Sequence, residues 1–291
     1  MPGPESAPGA AVAAPAAIDA GAAPPARLRP GLLSRGRLRA LLARASHTLL
    51  PGACVLCGGE AWTGMQTCQQ CHAQIFGTAR PRCGVCANPL AGQWHAQAPG
   101  APMPASRGGA VCGRCLAHRP AFDATLAAAD YAMPQDQLVL QLKFGGRLAL
   151  AALFGRALAD AVQAAPGFER PAVLCPVPLG PQRLAERGFN QALEIARALG
   201  RRLDIAVHPR LAARVHDTAA QSLVQPSERR ANIAHAFAVA DRALVEGRHI
   251  GIVDDVMTSG QTLDELAAAF KRHGAARITC LVFARTPPHY S

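Results

Sequence analysis

From Ala124 to the end of the chain, apolar positions fall into two alternating kinds of run. "TLAAADY", "HIGIVDD" and "RITCLVFAR" read as strands, and "AVLCPVPL" as a buried strand running into a Pro-containing loop. Between them, "QDQLVLQLKF", "LALAALFGRALADAVQAA", "NQALEIARALGRRL" and "TLDELAAAFKRHG" place apolar residues at helical spacing, the last closed by Gly274. A shorter strand region around Leu211 and a helix near "PSERRANIAHAF" complete the series. Strands alternating with helices over about 170 residues predict an α/β domain over 121–291 with a mostly parallel sheet flanked by helices.

The first 120 residues follow other rules. Residues 1–30 are Ala/Pro/Gly-rich with no periodicity, so they cannot repay the entropy of ordering and read as a disordered leader. "LLSRGRLRALLARASHTLL", within 31–50, has apolar residues at helical spacing with arginines between. It reads as a basic amphipathic helix whose Leu face packs on the folded body, with binding to a membrane surface or nucleic acid as the alternative. Residues 51–120 carry cysteine pairs among Gly, Pro and polar residues, with an Ala/Pro/Gly insertion around 97–109.

Eight of the ten cysteines form four Cys-x-x-Cys pairs: Cys54/Cys57, Cys68/Cys71, Cys83/Cys86 and Cys112/Cys115. Each pair can set two thiolates on one ion at about 2.3 Å, and two pairs complete a tetrahedral site. With few large apolar residues in the segment, metal binding would supply the folding free energy its core lacks. A redox pair usually stands alone beside a strand, which fits four pairs in a polar segment poorly. Two structural Zn²⁺ ions are therefore expected, in sequential tetrads or, alternatively, interleaved ones. Cys175 and Cys280, lying singly in apolar runs, read as small buried hydrophobes.

No uninterrupted apolar stretch approaches the roughly 18 residues of a membrane span, and no secretory signal is evident, so a cytoplasmic location is expected. The formal net charge is +11: +4 in residues 1–50, +4 in 51–120 and +3 in 121–291. That excess fits either an Arg-rich solvated surface or contact with nucleic acid. Aromatic stacking residues are sparse in 51–115, where Trp62, Phe76 and Trp94 are all there are.

The chemistry concentrates in "IVDDVMTSGQTLDEL", Ile252 to Leu266. A parallel strand would deliver two adjacent carboxylates, Asp254 and Asp255, to the ligand-binding edge of the sheet. The turn after it offers backbone N–H groups and the Thr258, Ser259 and Thr262 hydroxyls at a helix N-terminus, a cradle for an anion, and Gly260 lets the backbone approach it closely. The carboxylates suit vicinal hydroxyls or a metal ion on the same ligand. Phosphate beside a diol describes a ribose 5-phosphate. A receiver-type aspartate pair would not need the hydroxyl loop, and the absence of Gly-x-x-x-x-Gly-Lys-Ser/Thr excludes a P-loop nucleotide hydrolase.

"VDDVMTSGQT" resembles the phosphoribosyl-pyrophosphate (PRPP) signature of type I phosphoribosyltransferases. The order of a Cys-x-x-Cys-rich segment, "LKFGGR", "VPL" with "RGFNQA", "AQSLVQPSERRANIAHAF" and this loop resembles the ComF family over roughly residues 45–286. The resemblance implies a double zinc ribbon followed by a phosphoribosyltransferase-like domain, with links in some members to natural competence and single-stranded DNA. It implies that Asp254 and Asp255 contact the ribose hydroxyls and that Thr258, Ser259, Gly260 and Thr262 hold the 5-phosphate, with Mg²⁺ accompanying PRPP. Pro178, Arg183, Arg187 and Asn190 become candidates for the diphosphate or its loop scaffold. Gln221, Arg229, Arg230 and Asn232 match a mobile lid, and Lys143 and Arg147 are further phosphate candidates or a solvated helix end. Two functions follow: phosphoribosyl transfer to an unidentified acceptor, or a zinc-ribbon nucleic-acid-handling factor with a PRPP-sensing or relic pocket. Competence-machinery proteins are possible partners of the second.

Overall fold

The computed structural model of the protein describes residues 52–61, 66–76, 80–90, 110–165, 167–215 and 236–287. The predicted leader, the basic helix over 31–50, Trp62, Trp94 and the lid residues Gln221, Arg229, Arg230 and Asn232 lie outside the described residues. Among the described residues no helix is long and apolar enough to cross a membrane.

Five strands form one wholly parallel sheet in the order β1-β7-β6-β2-β3. They are β1 (Ala124–Asp130), β2 (Val173–Pro176), β3 (Ala206–Val207), β6 (His249–Met257) and β7 (Arg277–Arg285). The two-residue side-chain period splits the central strands between two cores. Ile250, Ile252, Ile278, Cys280 and Val282 enter one core, and Val253, Leu281 and Phe283 enter the other. Because both faces are covered, β6 and β7 read as near-continuous apolar runs.

On the second of these faces lie α3 (Gln135–Gly145), α4 (Ala149–Gln163) and α6 (Gln191–Leu203). Phe154 of α4 stacks on Phe283 with ring centroids 3.5 Å apart. Helix α4 approaches α6 closely because Gly155 has no side chain. A Cβ there would sit 2.5 Å from Ala198 Cβ and 2.9 Å from the Ile195 oxygen and Leu199 nitrogen. Gly155→Ala must therefore push two packed helices apart, and urea unfolding is expected to show a loss of about 1–3 kcal/mol.

The opposite face is covered by α7 (Gln261–Arg272) and by a two-stranded antiparallel ribbon, β4 (Ala212–Arg214) with β5 (Phe237–Val239). The helix expected near "PSERRANIAHAF" lies outside the described residues except for its last two positions, and the last, Phe237, begins β5. Phe237 is buried in the core and pairs with Arg214, so tertiary burial and cross-strand pairing decide its state. The sequence reading missed the short helix α5 (Pro181–Arg187), which starts with Pro at its first position and ends on Gly188 in the left-handed region.

The cysteine-rich segment packs into the same body. Its short helices are α1 (Gln69–Phe76) and α2 (Gly113–Ala117), and each half carries an isolated antiparallel bridge, Ala53 with Glu60 and Arg82 with Pro89. The first half reaches the core through Ile75, with Phe76 edge-on to Phe283 at 6.4 Å. The second half contributes Cys83, Val85, Cys86 and Cys115 to the core on the other face. An ion pair, Arg82 to Asp130 at 2.8 Å, ties it to the end of β1.

Candidate functional site

Parallel strands deliver their C-terminal ends to one edge, and β6 ends there at Met257. The next residues turn sharply into α7. Gly260 sits at φ +83°, a conformation that calls for glycine, and the tip of the Met257 side chain packs against it, 2.6 Å from where a Cβ would stand. Ser259 Oγ accepts from the Gln261 amide at 3.3 Å. Among the described residues, the amides of Thr258, Ser259, Gly260 and Thr262 find no acceptor. Thr258 and Ser259 are exposed and Thr262 is half-buried. The turn is thus exposed at Thr258 and Ser259, with Gly260 buried behind them, and leaves several donors unanswered at the positive end of a helix.

The two aspartates do not share one environment. Asp254 is half-buried at the sheet edge, and its Oδ1 accepts from the Asp255 amide at 2.9 Å. Burial, reinforced by the neighbouring Asp255 charge, holds its pKa well above the usual carboxylate range. Asp255 turns inward: it is 2 % exposed, and its Oδ2 lies 2.7 Å from Lys143 Nζ. Lys143 comes from the C-terminal turn of α3, so this helix reaches across the edge to neutralise a buried charge.

Lys143 also lines a cavity of about 580 Å³ with Phe144, Gly146, Arg183, Arg187 and Phe189. Arg183 is exposed there, while Arg187 lies over the Phe144 ring at 5.2 Å and donates to Gln191 Oε1 at 2.9 Å. The structure therefore brings together Lys143, Arg183 and Arg187, three of the cations singled out from sequence. It assigns two other candidates, Asn190 and Arg147, to scaffolding. Asn190 caps α6, accepting from the Ala192 and Leu193 amides at 2.9 and 3.3 Å, and its Nδ2 holds the Val177 carbonyl at 3.0 Å. That bond fixes the loop bearing the half-buried Pro178. Arg147 donates to Gln141 Oε1 and to the Val55 carbonyl, so it anchors the first cysteine knuckle instead of facing the cavity.

The eight paired cysteines form two tetrads, Cys54/Cys57/Cys68/Cys71 and Cys83/Cys86/Cys112/Cys115, each with all sulfurs within 4.8 Å of one another. This is the sequential grouping. Cys57 and Cys68 sulfurs are 3.8 Å apart and Cys86 and Cys112 sulfurs 3.6 Å. A tetrahedron with bonds of about 2.3 Å has edges of about 3.8 Å, so the donors fit Zn²⁺. Four thiols this close cannot all ionise without a cation. Burial raises the Cys54 and Cys83 thiols, but surrounding amides outweigh it and bring them down to about 6 and about 7. Burial and the neighbouring sulfurs push Cys71 up to about 12 and raise Cys115 further. Cys175 and Cys280 are fully buried in the sheet, as small hydrophobes.

Arg285, at the end of β7, escaped the sequence reading. Only 2 % exposed, it donates from Nε to the Cys86 carbonyl at 2.9 Å. From Nη1 it donates to the carbonyls of Met257 at 2.9 Å, Thr286 at 2.8 Å and Thr258. A strand-end arginine looks like any solvated residue until the fold places a zinc knuckle and the turn on either side of it. It borders a cleft of about 670 Å³ between α2 and α7 whose lining includes Arg114, His118, Arg119, Ser259 and Arg272.

A parallel sheet with an open hydroxyl turn at its edge, joined to two Cys₄ knuckles, defines a phosphoribosyltransferase-type domain carrying a double zinc ribbon. Residues 151–290 match the phosphoribosyl transferase domain and residues 45–116 the double zinc ribbon domain. The chain is 34 % identical over 243 residues to "DNA utilization protein YhgH" of Escherichia coli O157:H7, covering 81 % of this chain and 98 % of that one. It is 30 % identical over 239 residues to "Competence protein F" of Haemophilus influenzae, covering 80 % and 96 %. The chain belongs to the ComF family. Among solved structures it is similar to glutamine PRPP amidotransferase from B. subtilis, with TM-score 0.34 and 16 % identity over 47 % of this chain and 26 % of that one. It is likewise similar to hypoxanthine phosphoribosyl transferase of Trypanosoma cruzi, with TM-score 0.29 and 16 % identity over 51 % and 64 %.

Proposed function

We propose that this protein binds PRPP with Mg²⁺ and transfers the phosphoribosyl group to a nucleophilic acceptor. The observation that carries this reading is the open turn after β6, with unanswered amides at a helix N-terminus beside a half-buried carboxylate. The 5-phosphate would take the amides and hydroxyls of Thr258, Ser259, Gly260 and Thr262. Asp254 would accept from the ribose hydroxyls. Asp255 acts one step back: its ion pair with Lys143 holds the rim on which Asp254 stands. The cavity that Arg183 and Arg187 line with Glu186 suits the diphosphate, whose growing charge the two arginines would neutralise as the C1–O bond loosens, with Lys143 at its rim already paired to Asp255. The oxygen donors here are hard ones that suit Mg²⁺, which when bound would share the diphosphate charge. Positioning and charge neutralisation carry the rate, since no residue need act as a strong acid or base.

Titration calorimetry with PRPP–Mg²⁺ tests this. Asp254→Asn should weaken binding by about 10–100-fold, the loss of one or two hydrogen bonds to a charged acceptor. The protonated carboxyl must ionise to accept from two hydroxyls. Affinity should therefore rise with pH through the raised Asp254 pKa and level off above it, a dependence Asp254→Asn abolishes. Unchanged affinity in the variant would remove the ribose assignment. A pyrophosphate-release screen across nucleobases and amines would then identify the acceptor.

A second reading rests on the cleft between α2 and α7, where Arg114, Arg119 and Arg272 gather beside the second knuckle. Two relatives carry names of DNA utilization and competence. The cleft would take the phosphates of a single strand. If PRPP binds but no acceptor releases pyrophosphate, while oligonucleotide binding needs zinc and fails in Arg114→Glu/Arg119→Glu, the transferase reading loses to this one.

A further inference from the structure

We infer that Arg285 is the positioning residue of the phosphate turn and couples it to the metal state of the second cysteine tetrad. This rests on the PRPP reading above. Peptide groups are planar and trans, so a carbonyl and the N–H that follows it point in opposite directions. Arg285 holds the Met257 and Thr258 carbonyls on its own side. The amides of Thr258 and Ser259 are thereby turned to the other side, where they have no protein acceptor. A guanidinium is permanently charged, and Arg285 has no carboxylate within ion-pair distance among the described residues. Its positive charge lies between the Cys86 sulfur, which favours the charged form, and a turn that would receive an anion.

The same side chain has a second anchor. Its Nε–H goes to the carbonyl of Cys86, whose sulfur belongs to the second tetrad. A fork with fixed geometry cannot satisfy the knuckle and the turn independently. When the four sulfurs are drawn onto one ion, the Cys86 carbonyl is held, Arg285 is held, and the turn amides stay aimed. The first tetrad has no such link among the bonds described, since Arg147 ties it to α3 and not to the turn. Coupling of this kind is reciprocal: filling the phosphate site must tighten the second metal site by the same factor.

Ribose 5-phosphate is the probe, because it engages the phosphate turn without needing the diphosphate cavity. In the wild type, saturating ribose 5-phosphate should shift one of two ¹¹³Cd resonances of the cadmium-loaded protein. Cys83→Ser, which disrupts the second tetrad, should remove that responsive resonance, and Cys57→Ser should remove the other. Arg285→Gln should weaken ribose 5-phosphate and PRPP alike by at least 10-fold at unchanged metal content and abolish the shift, with Arg285→Lys intermediate. If the variant binds both as the wild type does, Arg285 merely joins the ribbon to the domain and the inference is overturned. Should Arg285→Gln not fold, the wild-type cadmium spectrum decides: no shift on saturation overturns the coupling. If the wild type binds neither compound, the PRPP reading itself falls and takes this inference with it.

Discussion

Cys83→Ala is expected to cost far more stability than Cys57→Ala, although each removes one ligand from a chemically equivalent tetrad. Cys83 is 1 % exposed and sits in the core cluster with Phe122, Met257 and Leu263. Cys57 is exposed. Metal binding and folding are one equilibrium in a knuckle with little apolar substance of its own. Losing the second ion would leave buried thiols unpaired within the domain core and release the Cys86 carbonyl from Arg285. We expect a loss of about 4–5 kcal/mol, lowering the midpoint by on the order of 10–20 °C for a body of this size. The first knuckle touches the opposite core through Ile75 and Phe76, so its loss should be felt, at less than half that size. Calorimetry with metal analysis checks this: both variants should retain one zinc per chain, and equal melting points would refute the asymmetry.

Lys143→Met is expected to destabilise by about 3 kcal/mol. It leaves the Asp255 carboxylate, 3 % exposed, without its ion-pair partner. Lys143 keeps 21 % of its side-chain exposure, which places the expected cost at the lower end for breaking a buried pair. Adding Asp255→Asn to Lys143→Met should recover most of the stability at neutral pH. Additive losses in the double-mutant cycle would mean that the pair is not coupled.

The two carboxylates illustrate the limit of reading by pattern. "VDDV" marks both as alike, and both were expected to face the ribose. Position at the end of a parallel strand determines that the pair reaches the ligand edge. It says nothing of the lysine that arrives from α3, more than a hundred residues earlier, to claim one of them. Asn190 and Arg147 show the same gap from the other side. Both stand in family motifs beside plausible phosphate residues, and both hold backbone carbonyls that only the fold brings within reach.

What the amino-acid order alone determined were properties with a local cause. The alternation of strand and helix periods, the glycine at positive φ, the hydroxyl turn and the Cys-x-x-Cys spacing depend on neighbours a few residues apart. From these the parallel sheet, the Cys₄ knuckles and the place of the site were legible. Tertiary structure alone decided which knuckle enters which core, which aspartate stays accessible, and that Arg285 bridges a cysteine knuckle and the turn. Each of these depends on contacts between residues up to about two hundred positions apart, such as Cys86 with Arg285. Their free energy comes from burial and unshared hydrogen-bonding groups, which no window along the chain records.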